Sequence, residues 1–182
     1  DHLLTQISYL IKSEKADVII FEDYDKGLIS PRLIKKIVEL ANKHNIPTVV
    51  DPKKKNFNEY KGVTLFKPNL KELKEGVKKE FDTKNNKQLK KAVDVFRVKH
   101  DIGIMLITLS ERGIYVNTKE ETKIIPAHIR NVADVSGAGD TVVSVAALCL
   151  ALGLSPENIA TLSNLAGGLV CEKVGAVPIE KE

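Results

Sequence analysis

The sequence predicts an α/β fold: a mostly parallel central sheet with helices on both faces, three layers in all. Two observations carry this expectation. Short apolar runs alternate along the chain with longer amphipathic segments, the order expected of parallel strands joined by crossover helices. Each apolar run then gives way to charged and hydroxyl residues, so the polar strand ends gather at one edge of the sheet, where such folds bind ligands. With 182 residues, 43% of them hydrophobic, the chain has the size and core material of one domain spanning 1–182.

The elements follow in order. Residues 3–12 read as a short amphipathic helix. Asp17 leads into the apolar Val18, Ile19, Ile20 and Phe21, a buried strand over 17–21. Ser30 as N-cap and Pro31 in the first helical position open a helix to about residue 43. Residues 47–51 and 63–66 are the next two strands. Asn69 caps a helix to about residue 77, and a longer helix covers 87–99. Residues 104–108 form a strand, and 113–117 with 123–126 form a hairpin pair. Two final helices cover about 137–152 and 156–173.

Composition narrows the function classes. The 28 basic and 24 acidic residues leave a mild +4. Lysines are spread along helices, with a cluster at Lys53, Lys54 and Lys55 and a polar run over 78–91 that reads as a solvated helix face. Only 5% of residues are aromatic and there is no Trp, which argues against a base-stacking surface and a nucleic-acid partner. Cys149 and Cys171 lie in apolar helical segments without metal-ligand spacing, and read as buried free thiols of a reducing compartment. No signal peptide and no apolar run long enough for a bilayer is present, so the expectation is a cytoplasmic enzyme without a membrane partner.

The most informative segment is Asp134-Val135-Ser136-Gly137-Ala138-Gly139-Asp140, followed by an apolar helix. Small residues at a helix start let backbone N–H groups face an anion, and the helix dipole assists. An Asp at the rim of such a site can take a proton from a hydroxyl while the N–H groups hold developing negative charge. The bland alternative is a tight loop with Asp140 as a first-turn residue favoured by the dipole. The strand ends supply Glu22 to Gly27, Asp51 to Lys53, Lys67 to Glu72 and Thr108 to Gly113. Taken singly, Asp23 and Asn69 read as turn and cap residues and Lys53 as a solvated charge. Asn69 with Glu72 three residues on is also a capping-box arrangement.

The segment ending at Asp140 resembles the signature of the ribokinase-like (PfkB) carbohydrate kinases. That resemblance implies that Asp140 is the catalytic base and that the amides of Gly137, Ala138 and Gly139 form an anion hole. It implies that Asn69 and Glu72 order Mg²⁺ through water, and that Lys53 neutralises phosphate. Thr108 to Gly113 resembles the family's nucleotide loop, with Ser110 where the first Gly is usual, leaving Thr108 and Gly113 as nucleotide contacts. Asn164, Gly167 and Gly168 match the face that lies along adenine; close helix packing explains the glycines equally well.

Taken in order, the motifs around Asp23, Asp51, Asn69, Asp140 and Asn164 resemble the heptose-7-phosphate kinase branch. The expected cofactors are ATP and Mg²⁺, and the expected partner is a small sugar phosphate. Another ribokinase-like substrate, and a nucleotide-binding fragment inactive by itself, stay open. The family's first strands, sugar-binding region and small β lid have no counterpart in these residues. The resemblance therefore implies a fold without its N-terminal part and lid, which self-associates or pairs with that part.

Overall fold

The computed structural model describes residues 2–13, 15–128 and 132–179. The elements are α1 (His2–Lys12), β1 (Ile19–Glu22), α2 (Pro31–Lys43), β2 (Thr48–Asp51), β3 (Leu65–Phe66) and α3 (Leu70–Val77). They continue with α4 (Asn86–Lys99), β4 (Ile104–Thr108), β5 (Ile114–Asn117), β6 (Thr122–Ile125), α5 (Ala138–Ala151) and α6 (Pro156–Val170). The six strands form one sheet in chain order. From β1 to β4 they run parallel, whereas β5 and β6 add as an antiparallel hairpin. The expected mostly parallel, three-layer arrangement is what forms.

Strand side chains alternate between two cores, as a period of two requires. Phe21, Val50, Phe66, Met105 and Ile107 pack under α2, α3 and α4 with Ile34, Val38, Leu73, Leu89 and Phe96. Val49, Leu65, Ile104, Leu106 and Val116 pack on the other face with Val142, Val143, Ala146, Ile159 and Ala160 of α5 and α6. The helix starts follow the sequence: Ser30 Oγ accepts from Leu33 N, Asn85 Oδ1 from the Lys87 and Gln88 amides, and Ser155 Oγ from Asn158 N.

Three expectations need correction. The first strand runs 19–22 rather than 17–21, because pairing to the neighbouring strand begins at Ile19 opposite Thr48. The last helix stops at Val170, so Cys171 is its half-buried C-cap and only Cys149 is a buried helical thiol. The polar run 78–91 is not one helix face: Lys78 turns left-handed at φ 52° to end α3, and Asn85 starts α4.

His100, the C-cap of α4, is buried and stacks on Phe96 with ring centroids 4.1 Å apart. Its Nδ1 lies 2.9 Å from the Phe96 carbonyl. Burial, together with Lys99 and Lys61, depresses its pKa below the usual value, although the carbonyl and Glu59 oppose this. The unfolded chain therefore binds its proton at higher pH than the native one. Stability is unaffected above about 6.5, the unfolded value, and falls as pH drops below it. The melting temperature is expected to decline between pH 7 and 5, less steeply in His100→Gln; identical slopes would remove His100 as the cause.

Candidate active site

Helix α5 begins where the polar strand ends converge. Gly137 is its N-cap with φ 77°, a conformation that suits glycine, and no side chain caps the helix. Ala138 N donates to the Val135 carbonyl at 3.3 Å, so the first-turn amides that follow it are those left to face an anion. Asp134 anchors the approach: its Oδ1 accepts from Ser136 N at 3.0 Å and Ser136 Oγ at 2.9 Å. Its Oδ2 accepts from Gly175 N at 2.9 Å, tying this loop to the segment after α6. Those donors, Gly175 first, hold the Asp134 carboxyl below the usual range. An open groove of about 390 Å³ is lined by Gly137, Asp140, Ser144, Val177 and Ile179.

Asp140 is exposed in the first turn of α5, with Tyr24 Oη 3.4 Å from its Oδ2. Carboxylate oxygens of Glu22, Asp51 and Asp140 lie within 4.8 Å of one another, and Glu22 Oε1 is buried without a hydrogen-bond partner. Burial, then Asp51 and Asp140, push the Glu22 carboxyl above its ordinary pKa. Oxygen donors gathered this way suit a hard divalent cation.

Two lysines thread the acidic groups together. Lys67 is buried, with Nζ 2.8 Å from Asp51 Oδ1. Lys53 Nζ lies 3.1 Å from Asp51 Oδ2 and 3.1 Å from Glu72 Oε1. Burial works against the Lys53 charge, yet the Asp51 and Glu72 carboxylates raise its pKa. Glu72 Oε2 accepts from Asn69 N and Asn69 Oδ1 from Glu72 N, both at 2.8 Å, which completes the capping box. Both Glu72 oxygens are thus engaged, one in the cap and one by Lys53.

The fold brings Asp140, Gly137, Ala138, Gly139, Lys53, Asn69 and Glu72 to one sheet edge through Asp51 and Lys67. Thr108 ends β4 and bridges to Asn69 through the backbone. Ser110 adopts a left-handed φ of 55° where a glycine is expected, so the loop keeps its turn despite the substitution. Gly113 has φ 89°, and a Cβ there would lie 2.0 Å from the Ile125 carbonyl oxygen. Asn164 Nδ2 donates to the Pro126 carbonyl at 2.8 Å. Gly167 is buried against α5, where a Cβ would lie 2.7 Å from Val142 Cγ2, the geometry of close helix packing. Asp23 is a buried turn anchor accepting from Asn56 Nδ2, Tyr60 Oη and Asp25 N, each at 2.9 Å.

Sequence reasoning placed Glu22, Tyr24, Asp51 and Lys67 among the polar strand ends but gave none of them a role. The available signal was a charged residue directly abutting each buried apolar run.

Comparison with known proteins identifies the family and the fold. The family model described as "pfkB family carbohydrate kinase" matches residues 10–182. The bifunctional protein HldE of Koribacter versatilis is 38% identical over 167 residues, covering 92% of this chain and 34% of that protein. The bifunctional protein HldE of Campylobacter jejuni is 37% identical over 179 residues, covering 98% and 38%. The chain therefore spans little more than a third of the curated relatives it matches. A phosphofructokinase-2 mutant from Escherichia coli superposes with TM-score 0.82 at 18% identity, over 94% of this chain and 57% of that one. Arabidopsis thaliana ribokinase, complexed with ribose and ATP, gives TM-score 0.78 at 20% identity, over 97% and 54%.

Proposed function

Because the chain belongs to the pfkB family of carbohydrate kinases, we propose that it forms the nucleotide-binding and catalytic part of an ATP-dependent kinase acting on heptose 7-phosphate at the 1-hydroxyl. The observation that carries the kinase reading is Asp140 in the first turn of α5, directly after Gly139 and within reach of Glu22 and Asp51. The heptose assignment is supported by the order of motifs at Asp23, Asp51, Asn69, Asp140 and Asn164, and by curated relatives that are HldE proteins.

Asp140 takes the proton of the acceptor hydroxyl at a carboxylate oxygen, and its exposure leaves that oxygen open to a substrate. The first-turn amides of α5 and the helix dipole stabilise the charge of the transferring phosphoryl group. Phosphoryl transfer needs mainly such positioning and charge stabilisation. The residues fit Mg²⁺: Glu22 Oε1 is buried and unpartnered, with the Asp51 carboxylate beside it and Glu72 reached through Lys53. Bound there, the ion would neutralise phosphate charge; Asn69 and Glu72 would contact it through water, since their own atoms close the cap. ATP would lie from this helix start toward Thr108 and Gly113, with adenine near Asn164.

ADP release should depend on heptose 7-phosphate in the catalytically competent protein, with fructose 6-phosphate and ribose poorer acceptors. Equal turnover of all three would remove the heptose assignment and leave a general sugar kinase. A second reading is a nucleotide-binding part that turns over only with a further segment or copy at the outer edge of β1, where Ile20 is 39% exposed.

Glu72→Gln separates a metal role from a capping role. Glutamine preserves the capping box but removes the charge that faces Lys53. The magnesium requirement is expected to rise clearly, while the unfolding free energy changes by about 1 kcal/mol or less. An unchanged magnesium titration would leave Glu72 a cap alone.

A further inference from the structure

Tyr24 is firmly held for so exposed a side chain. It is 56% exposed in the loop between β1 and α2, yet its neighbour Asp23 is 3% exposed and anchors the turn. Asp23 Oδ1 accepts from Asp25 N at 2.9 Å, and Oδ2 accepts from Asn56 Nδ2 and Tyr60 Oη, each at 2.9 Å. Asn56 Nδ2 also donates to the Ile29 carbonyl at 2.9 Å, so one buried amide holds both ends of the loop. Asp23 N donates to the Asp51 carbonyl at 3.3 Å, which ties the same turn to the end of β2. Tyr60 is fully buried and meets Phe21 of β1 edge-on, with ring centroids 5.6 Å apart. A buried anchor whose donors are themselves buried leaves the backbone beside it little freedom. Tyr24 directly follows that anchor, and its hydroxyl donates to Asp140 Oδ2 at 3.4 Å, across 116 residues of sequence.

The base needs such a restraint. Asp140 is exposed, and carboxylate oxygens of Glu22 and Asp51 lie within 4.8 Å of one of its own. Like charges this close repel, and an exposed aspartate relieves the repulsion by changing rotamer toward water. A base that has turned away loses the alignment on which proton transfer depends. A hydroxyl that donates to Oδ2 opposes that rotation without adding a charge, and leaves Oδ1 for the acceptor. We propose that Tyr24 is the positioning residue that fixes the Asp140 carboxylate for proton abstraction, and that the buried cluster of Asp23, Asn56 and Tyr60 aims it. The proposal rests on the kinase reading above and deepens it. The cluster's link to the chemistry runs through Tyr24, so a change at Tyr60 reaches the base by way of the loop.

The test is steady-state kinetics of the catalytically competent protein, with magnesium, ATP and whichever of heptose 7-phosphate, fructose 6-phosphate and ribose it turns over best. Tyr24→Phe keeps the ring and deletes the hydroxyl. It is expected to lower kcat about 3- to 10-fold, the effect of losing one hydrogen bond, with KM for ATP and for the acceptor within about twofold of wild type. Because Tyr24 is exposed, this variant should melt like the wild type. Tyr60→Phe removes one donor from Asp23 and should lower kcat by a similar or smaller factor. The double variant Tyr24→Phe/Tyr60→Phe should be no slower than Tyr24→Phe alone, because both changes act through one contact. A kcat for Tyr24→Phe within about twofold of wild type would overturn the proposal while leaving the kinase reading intact. A raised acceptor KM at unchanged kcat would make Tyr24 a substrate contact and overturn it as well. Factors that multiply in the double variant would overturn the role of the buried cluster. If Tyr60→Phe does not fold, the kcat and KM of Tyr24→Phe decide. A folded wild type that turns over none of the three acceptors would overturn the kinase reading itself, and this proposal with it.

Discussion

Asp140→Asn is expected to lower sugar-dependent turnover by about 10² to 10⁴, the range for loss of a general base. The substitution keeps size and the first-turn position but removes the ability to take a proton. Nucleotide affinity should change little, because the base faces the acceptor while the helix amides face the phosphates. Two side effects identify the cause. Burial and the neighbouring carboxylates raise the Glu22 carboxyl, so deleting the Asp140 charge should move Glu22 back toward its ordinary value. Tyr24 should likewise fall toward the normal phenol range, since Asp140 is the main reason it is raised. A mutant within about threefold of wild-type turnover would remove Asp140 from the mechanism, whatever its effect on titration.

Gly113→Ala should be the most damaging single-methyl change to the fold. Gly113 has φ 89° and ψ −138°, a region essentially reserved for glycine. An added Cβ would lie 2.0 Å from the Ile125 carbonyl oxygen, 2.5 Å from Ala127 N and 2.7 Å from the Pro126 carbonyl carbon. All three are backbone atoms, so no side chain can swing aside. Relief requires β5 and β6 to separate where Ile114 pairs with Ile125, which would also disturb the Asn164 contact to Pro126. The expected destabilisation is on the order of 3 kcal/mol or more, a large part of a typical domain's stability. Denaturant unfolding measures it directly, and a midpoint shift equivalent to less than about 1 kcal/mol would show that the hairpin yields easily.

The parts of this protein legible in its sequence are those set by neighbours along the chain. Ser30 before Pro31 and Asn69 three residues before Glu72 announce helix starts, because a cap and its amides are local. Short continuous apolar runs announce strands for the same reason. The segment from Asp134 to Asp140 is equally self-contained: Asp134 folds back on Ser136, and Gly137 supplies the left-handed turn. What local pattern does not display is who meets whom across the sheet. Glu22 and Asp51 end β1 and β2 and Lys67 directly follows β3, and each looks like an ordinary polar boundary residue. Only the parallel pairing of β1, β2 and β3 stacks them beneath Asp140.

The same limit explains the glycines. Gly167 and Gly113 look alike as small residues near a nucleotide motif. The contacts that demand them, Val142 for one and the Ile125 carbonyl for the other, lie on different elements. Lys53 reads as a surface charge until Asp51 and Glu72 are seen on either side of it.

The central claim is that the start of α5 and the charged strand ends around it form a magnesium-dependent nucleotide site. Calorimetric titration of the folded chain with a non-hydrolysable ATP analogue, with and without magnesium, tests it most directly. The expected result is saturable one-to-one binding that strengthens when magnesium is present. A folded sample that shows no binding in either condition would contradict the account.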